Sequence, residues 1–271
     1  MEYEIIIRNS RVIDGTGNPW YKADIGIKDA RIHDIGKING DAKREIDASG
    51  LIVSPGFIDA HSHADFNTLL YRAMENLVHQ GITTVIAGQC GSSPAPVSEK
   101  NREQAQKEID DILPEEMELE VNWSTFNEYL LEEEKSGLGA NVAHVVGHGA
   151  IRGAGMGLEA RKPTMEELEI MKKLTAEAMK AGAYGLSSGL IYPPGIYAGT
   201  DELIEIAKVA SQYGGIYDSH IRGEGKTLIE ALEEAISIGE KASIPVQISH
   251  HKVASKSIWG KSKETLQMFE E

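Results

Sequence analysis

The residues of this chain best suited to chemistry are its nine histidines and its single cysteine. His61 and His63 leave the stretch 51–65, LIVSPGFIDAHSHAD, in which Ile52-Val53 and Phe57-Ile58 flank a turn at Pro55-Gly56. A strand has a side-chain period of two, so a strand running on through them turns both imidazoles to one face and Ser62 to the other. Two imidazoles at a strand end can take two positions around one metal ion. A polar turn leaving a strand would carry the same letters. Cys90 stands in a glycine-bounded polar segment, His148 lies between two glycines, and His220 follows Asp218-Ser219. His250 and His251 are adjacent, so on a continuing strand one at most faces the site. Each has a plainer reading, a buried small hydrophobe for Cys90 or a hydrogen-bonded core ring for the histidines. His148 suits a ligand or a hydrogen bond behind one equally. His33 reads as a surface strand residue, His144 lies away from a strand end, and His79 before Gly81 suits a helix C-terminus.

Elements must hold these groups. Short apolar runs at 57–60, 83–87, 140–146, 183–187, 215–219 and 245–249 read as strands. Helices are expected at 66–79, 100–112, 125–135, 201–213, 226–241 and 261–271, and from Thr164. Thr164 with Glu167 has the form of a capping box, and Leu168, Met171, Leu174 and Ala178 make one apolar stripe. Strands alternating with helices imply a parallel sheet, and barrels of this kind place function at the strand C-terminal ends. The candidates gather there: His61 and His63 after the first strand, Cys90 after the second, His148 after the third, Ser187-Ser188 on the fourth, His220 after the fifth and His250 after the sixth.

The fold class expected is α/β. Residues 1–55 form a small antiparallel β-rich domain, part of a β-sandwich, with a hairpin turn at Lys28-Asp29-Ala30-Arg31. Residues 56–271 supply six βα units of a (β/α)8-type barrel. A closed barrel takes eight units and typically about 250 residues, so the sheet is open or the chain is a portion of a longer one. Unprotected edge strands at its two ends would invite self-association.

Composition narrows the partners. Lys and Arg number 27 against 42 Asp and Glu, a net charge of −15, which argues against nucleic acid or an anionic membrane. Acidic runs at 115–120 and 132–134 read as solvated helical faces. No apolar run approaches the ~20 residues of a membrane span, and MEYEIIIRNS lacks the basic start and long apolar core of a signal peptide. One cysteine allows no intrachain disulfide and suits a reducing cytoplasm.

With GFIDAHSHAD, GITTVIAGQCGSSPAP, VVGHGAIR, GLSSGLIYPPG, DSHIRGEG and QISHHK, the whole chain resembles the amidohydrolase superfamily. Within it, the chain resembles the N-acyl-D-amino-acid deacylase (D-aminoacylase) family. His-x-His after an apolar strand marks the superfamily; the segments around Cys90, Ser187 and His250 are narrower. The resemblance implies an amidohydrolase barrel binding Zn2+ at one tight site, with a possible second, weak one. Where many superfamily members carry a bridging carboxylated lysine at the fourth strand end, this chain has Gly185-Leu186-Ser187-Ser188, and Cys90 matches the bridging cysteine. His220 and His250 would complete the tight site with Cys90; His61 and His63 would line the weaker one.

The implied reaction is hydrolysis of the amide bond of a small-molecule N-acyl-D-amino acid by a zinc-activated water. The implied base is an aspartate on an eighth strand that this chain does not reach; Asp59, Asp65 and Asp218 are nearby but do not match it. Lys252 and Arg222, two residues past His250 and His220, and Tyr192 on a rim loop are candidates for substrate binding. The alternatives are a cyclic-amide amidohydrolase of the dihydropyrimidinase or dihydroorotase type, and an inactive metal-binding remnant.

Overall fold

The structure, a computed structural model, describes residues 2–114 and 117–269. It divides into two compact units, Met1–Phe57 and Ile58–Glu271. In the first, strands β1 (Tyr3–Val12), β2 (Tyr21–Lys28), β3 (Arg31–Gly36), β4 (Ala42–Asp47) and β5 (Ile52–Val53) form one sheet in the order β3-β2-β1-β4, with β5 also on β1. The hairpin between β2 and β3 turns through Asp29 and Ala30, both at positive φ (52° and 56°), as a two-residue turn matched to strand twist requires.

β1 is one continuous strand, with its pairing to β2 slipping between Ile7 and Ser10 where Asn9 adopts φ 60°. One expectation for this unit is corrected. The sheet is mixed, not antiparallel, because β4 and β5 pair with β1 in parallel. The cause lies between β3 and β4. Ile38 buries itself with Tyr3 and Ile6, while the Arg8 guanidinium donates to the carbonyls of Ile38 (2.6 Å) and Gly40 (2.8 Å). The connection thereby crosses from one side of β1 to the other.

The second unit begins with β6 (Phe57–Asp59), β7 (Ile82–Ala87) and β8 (Asn141–His144), and continues with β9 (Val146–Gly147), β10 (Gly185–Gly189), β11 (Ile216–His220) and β12 (Val246–Ile248). The first three make one sheet and the last four another. Neighbours β7–β8, β9–β10, β10–β11 and β11–β12 are all parallel. The single strand expected at 140–146 is thus split. Val145 N–H still donates to Ala87 (2.9 Å), but from Val146 onward the chain pairs with β10 instead of β7.

Helices α1 (Glu75–Val78), α2 (Arg102–Asp110), α3 (Phe126–Ser136), α4 (His148–Met156), α5 (Met165–Ala181), α6 (Thr200–Gln212), α7 (Leu228–Ala242) and α8 (Ser262–Gln267) fill the connections. The Thr164–Glu167 capping box opens α5. Its Met171 and Ala178 join Ile151, Leu203, Ile206 and Ile238 over Leu186 and Tyr217 in one buried cluster. Burying each such aliphatic side chain stabilises by about 1.5–3 kcal/mol, and together they lock β10 and β11, whose ends carry the site.

The helix expected at 66–79 is reduced to a 3₁₀ turn at Ala64–Phe66 and the single turn α1. Tertiary contacts override propensity here. The Asp65 carbonyl accepts from Tyr129 (2.7 Å), the Arg72 carbonyl accepts from Gly139 N–H (2.7 Å), and Met74 takes a left-handed φ of 48°. Of the acidic run 115–120, Glu115 and Glu116 lie outside the described residues, and Met117–Glu120 is irregular rather than helical. Glu270 and Glu271, at the end of the last expected helix, also lie outside the described residues. Among the described residues no helix is long and apolar enough to cross a membrane.

Candidate metal centre

The cysteine is positioned by backbone alone. After β7 the chain makes a tight loop with Gly88, Cys90 and Gly91 all at positive φ (81°, 54° and 76°). A Cβ on Gly88 would lie 1.8 Å from the Val145 oxygen, and one on Gly91 would lie 2.5 Å from the Gly189 nitrogen. Ser187, on β10, accepts from Gly91 N–H (3.0 Å) and donates to the Gly88 carbonyl. The glycines flanking Cys90 are therefore what allow the loop to press onto β8–β10 and push the thiol outward.

Three imidazoles meet that thiol. Cys90 Sγ lies 3.5 Å from His61 Nε2, 3.6 Å from His220 Nδ1 and 3.5 Å from His250 Nε2. The donor atoms of His61, Cys90 and His250 all fall within 4.8 Å of one another, as do those of His220, Glu224 and His250. His220 ends β11, and His250 follows β12 at φ 34°. His251 points elsewhere, its Nε2 2.9 Å from Thr265 Oγ1.

The geometry that joins His61 and His63 is not the one expected. The strand ends at Asp59, so neither histidine lies on it and the period-two argument does not apply. Instead Ser62 N–H is tied to the Ile86 carbonyl (2.9 Å) and Asp59 Oδ1 accepts from His61 N–H (3.2 Å), which leaves the two rings edge to face at 5.5 Å. His61 reaches the sulfur; His63 reaches His61.

The electrostatics of the cluster suit a cation. Burial first, then the neighbouring His250, lowers His61 and His220 to about 4, and the same causes lower His63. Burial, then Asp218, pushes the Cys90 thiol up to about 11. Neutral imidazoles are the ligand form, and the nitrogens turned toward the sulfur are Nε2 of His61 and His250 and Nδ1 of His220. One sulfur among imidazole nitrogens is a donor set matched to zinc, which binds both readily.

Sequence reasoning missed Glu224. Its Oε1 lies 3.1 Å from His250 Nδ1 and 3.6 Å from His220 Nε2, behind both rings, and it also pairs with Lys252. A carboxylate there holds the ring protons on the outer nitrogens and frees the inner ones for a metal. Its position four residues after His220, in the turn Arg222-Gly223-Glu224-Gly225, was the available signal.

The remaining candidates divide. Lys252 reaches the cluster, its Nζ 2.9 Å from His250 Nδ1, but β12 ends at Ile248, so it does so from a loop and not by sharing a strand face. Tyr192 Oη lies 3.4 Å from His220 Nδ1. Arg222 is bound on all sides, to Glu234 (2.8 and 3.0 Å) and to the carbonyls of Ile196 (3.2 Å) and Ala198 (3.0 Å). His148 opens α4, facing Glu202 at 2.9 Å. Ser188 bonds Tyr217 and Ser219 within the sheet. Asp218, beneath the cluster, is bonded to Ser249 and raised to about 6 by burial. Asp65 is fully buried and raised to about 7 by the same cause.

Residues 44–118 match the amidohydrolase family. The D-aminoacylase of Alcaligenes xylosoxydans xylosoxydans is 39% identical over 269 residues, 99% of this chain and 54% of the relative. A solved D-aminoacylase, studied for one-metal activation and second-metal attenuation at its binuclear metal centre, superposes with a TM-score of 0.89 at 37% identity, over 99% of this chain and 56% of that one. The N-acyl-D-glutamate deacylase of Bordetella bronchiseptica, complexed with zinc and a phosphonate mimic of the tetrahedral intermediate, gives 0.89 at 34% identity, over 100% of this chain and 56% of that one. The chain spans about half the length of the curated relatives it matches. It has the amidohydrolase fold, and over nearly its whole length it is similar to D-aminoacylases and N-acyl-D-amino-acid deacylases.

Proposed function

We propose that this chain forms the metal centre of a zinc-dependent hydrolase cleaving the amide bond of N-acyl-D-amino acids. The observation that carries the proposal is one thiol with three imidazole nitrogens from three different loops within 3.6 Å of its sulfur. In this reading Cys90, His220 and His250 hold the tight zinc, and His61 with His63 lines a weaker site that Cys90 shares. Bound there, zinc supplies Lewis acidity toward the amide carbonyl and toward the attacking water.

The chain's own residues do the rest. Glu224 fixes the tautomers of His220 and His250. Lys252, half exposed and beside His250, is the cation for the substrate α-carboxylate, and the Tyr192 hydroxyl is a hydrogen-bonding group at the rim. Arg222, with its donors engaged by Glu234 and two carbonyls, holds the Gly195–Tyr197 turn under Tyr192 rather than the substrate. In this reading the general base is an aspartate on an eighth strand beyond residue 271, as the resemblance implies.

Dialysed protein should retain zinc, and N-acetyl-D-methionine should be cleaved in preference to its L enantiomer once the base is present. General acid–base assistance contributes about 10²–10⁴-fold, so residues 1–271 alone should be weak or inactive. A chain extended through an eighth strand should regain activity, and changing its aspartate to asparagine should remove activity while zinc stays bound. Absence of zinc, or equal cleavage of both enantiomers, would refute the reading.

A further inference from the structure

A cavity of 390 Å³ opens beside the cluster, within the size range of small-molecule sites. His63, Cys90 and Tyr192 line it, and neither His250 nor Lys252 does. Two helices and the segments 91–97 and 189–195 make its walls. Asn101, at the start of α2, and Gln104, Ala105 and Glu108 within it follow the i, i+3, i+4, i+7 spacing of one helical face, and all four line the cavity. From α4 come Gly149, Ala150 and Gly153, so the glycines of the HGAIRGAG segment are small where the helices approach. A Cβ on Gly153 would already lie 3.2 Å from the Asn101 Cβ. Gln104 donates to Glu108 (3.0 Å), so one charged group on this wall is a carboxylate.

We propose that this cavity receives the acyl chain of the substrate and admits uncharged acyl groups longer than acetyl. The inference rests on the proposed function and deepens it. An N-acyl-amino acid is linear, with α-carboxylate, Cα, nitrogen, scissile carbonyl and acyl chain in that order. Along the protein the order is Lys252, His250 Nδ1 at 2.9 Å from its Nζ, Cys90 Sγ at 3.5 Å from Nε2 of the same ring, then the cavity that Cys90 lines. With the carboxylate at Lys252 and the carbonyl at the metal ligands, the group beyond the carbonyl points into the space between α2 and α4. Its Ala, Gly, Pro, Val and Leu lining suits methylenes, Ser92, Ser93, Asn101 and Gln104 add uncharged polar groups, and Glu108 disfavours an acyl chain that ends in an anion.

Titration calorimetry on the zinc-loaded protein tests this with N-acetyl-, N-butanoyl- and N-succinyl-D-methionine. Each buried methylene should tighten binding about fourfold, so butanoyl, with two more, should bind about fifteenfold more tightly than acetyl, and succinyl should lose that gain. Ala105→Leu should erase the butanoyl-over-acetyl ratio, and the near-isosteric Glu108→Gln should bring succinyl back toward butanoyl. Equal affinity across the acyl series would overturn the inference and leave the proposed function standing. So would affinity that tracks the D-side chain, alanine against norleucine, and is cut by Ala105→Leu. Free acetate and hexanoate separate the two ideas. Tighter hexanoate binding with no preference for D over L acyl-amino acids would keep the cavity assignment and reject the substrate class. No chain-length effect in either series would reject the cavity.

Discussion

Two kinds of histidine stand close together in the larger unit, and they differ in what they face. His144 points Nε2 at Glu133 (2.6 Å), whose other oxygen takes Tyr129 (2.6 Å) and Thr68 (2.5 Å). His148 faces Glu202 (2.9 Å), which Arg152 grips with both carboxylate oxygens at 2.8 Å. Each of those rings turns its Nε2 to an anion. His61, His220 and His250 instead converge on one sulfur, and the nearby carboxylate Glu224 lies behind two of the rings rather than among them. Burial alone therefore does not mark a ligand. What marks one is several donor atoms directed at a common point with no carboxylate among them, an arrangement that suits a cation.

This contrast can be broken from either side. The largest effect is expected from Glu202→Ala, which leaves Arg152 and His148 buried without their partner. Loss of one member of a buried pair costs about 3–5 kcal/mol, so urea unfolding should show a fall of that size while zinc per chain in the folded protein stays the same. Second, Cys90→Ala should weaken zinc binding by more than about 100-fold, beyond the range for partners behind the ligands, and by more than His61→Ala does. Competition with a chromophoric chelator measures both, and equal losses would remove the thiol from the ligand set.

The same titration carries a proton signature. The Cys90 thiol, pushed up to about 11, is protonated at neutral pH, whereas His61 and His220, lowered to about 4, are not. Zinc must displace the thiol proton, so the logarithm of its affinity should rise with a slope of about one between pH 6 and 8. In Cys90→Ala that slope should vanish. Third, Glu224→Gln should cost about 10–100-fold in zinc affinity by releasing the tautomers of His220 and His250; an unchanged affinity would show that the rings are oriented by packing alone.

The last effect concerns Asp65. Its folded pKa is raised by burial to about 7, so between about pH 4 and 7 the folded chain holds a proton that the unfolded chain lacks. Stability from this group is present at acid pH and lost as pH rises through 7. Asp65→Asn should therefore raise the urea midpoint of the metal-free protein at pH 8, with the difference shrinking toward pH 5. A constant difference across that range would show that Asp65 is not buried as an acid.

Much of this was readable from residue order. The change of period after Gly56, the capping box at Thr164 and the stripe on α5 are local signals, set by which side chains recur every two or every 3.6 residues. The placement of His61, Cys90, His220 and His250 after strands follows from the same alternation. Other features could not be read that way, because they depend on segments far apart in the chain. Residues 66–79 have helical composition, yet Tyr129 and Gly139 take their carbonyls and the helix does not form. His148 and His250 both lie in polar, strand-terminal segments; Glu202, brought up by α6, turns the first into half of a buried pair. The turn after His220 shows a carboxylate in the sequence, but not that Glu224 closes the back of two rings, one of them contributed from 30 residues further on. Local pattern decides which residues reach the ends of the strands. Long-range packing decides which of them end up facing an anion and which face one another.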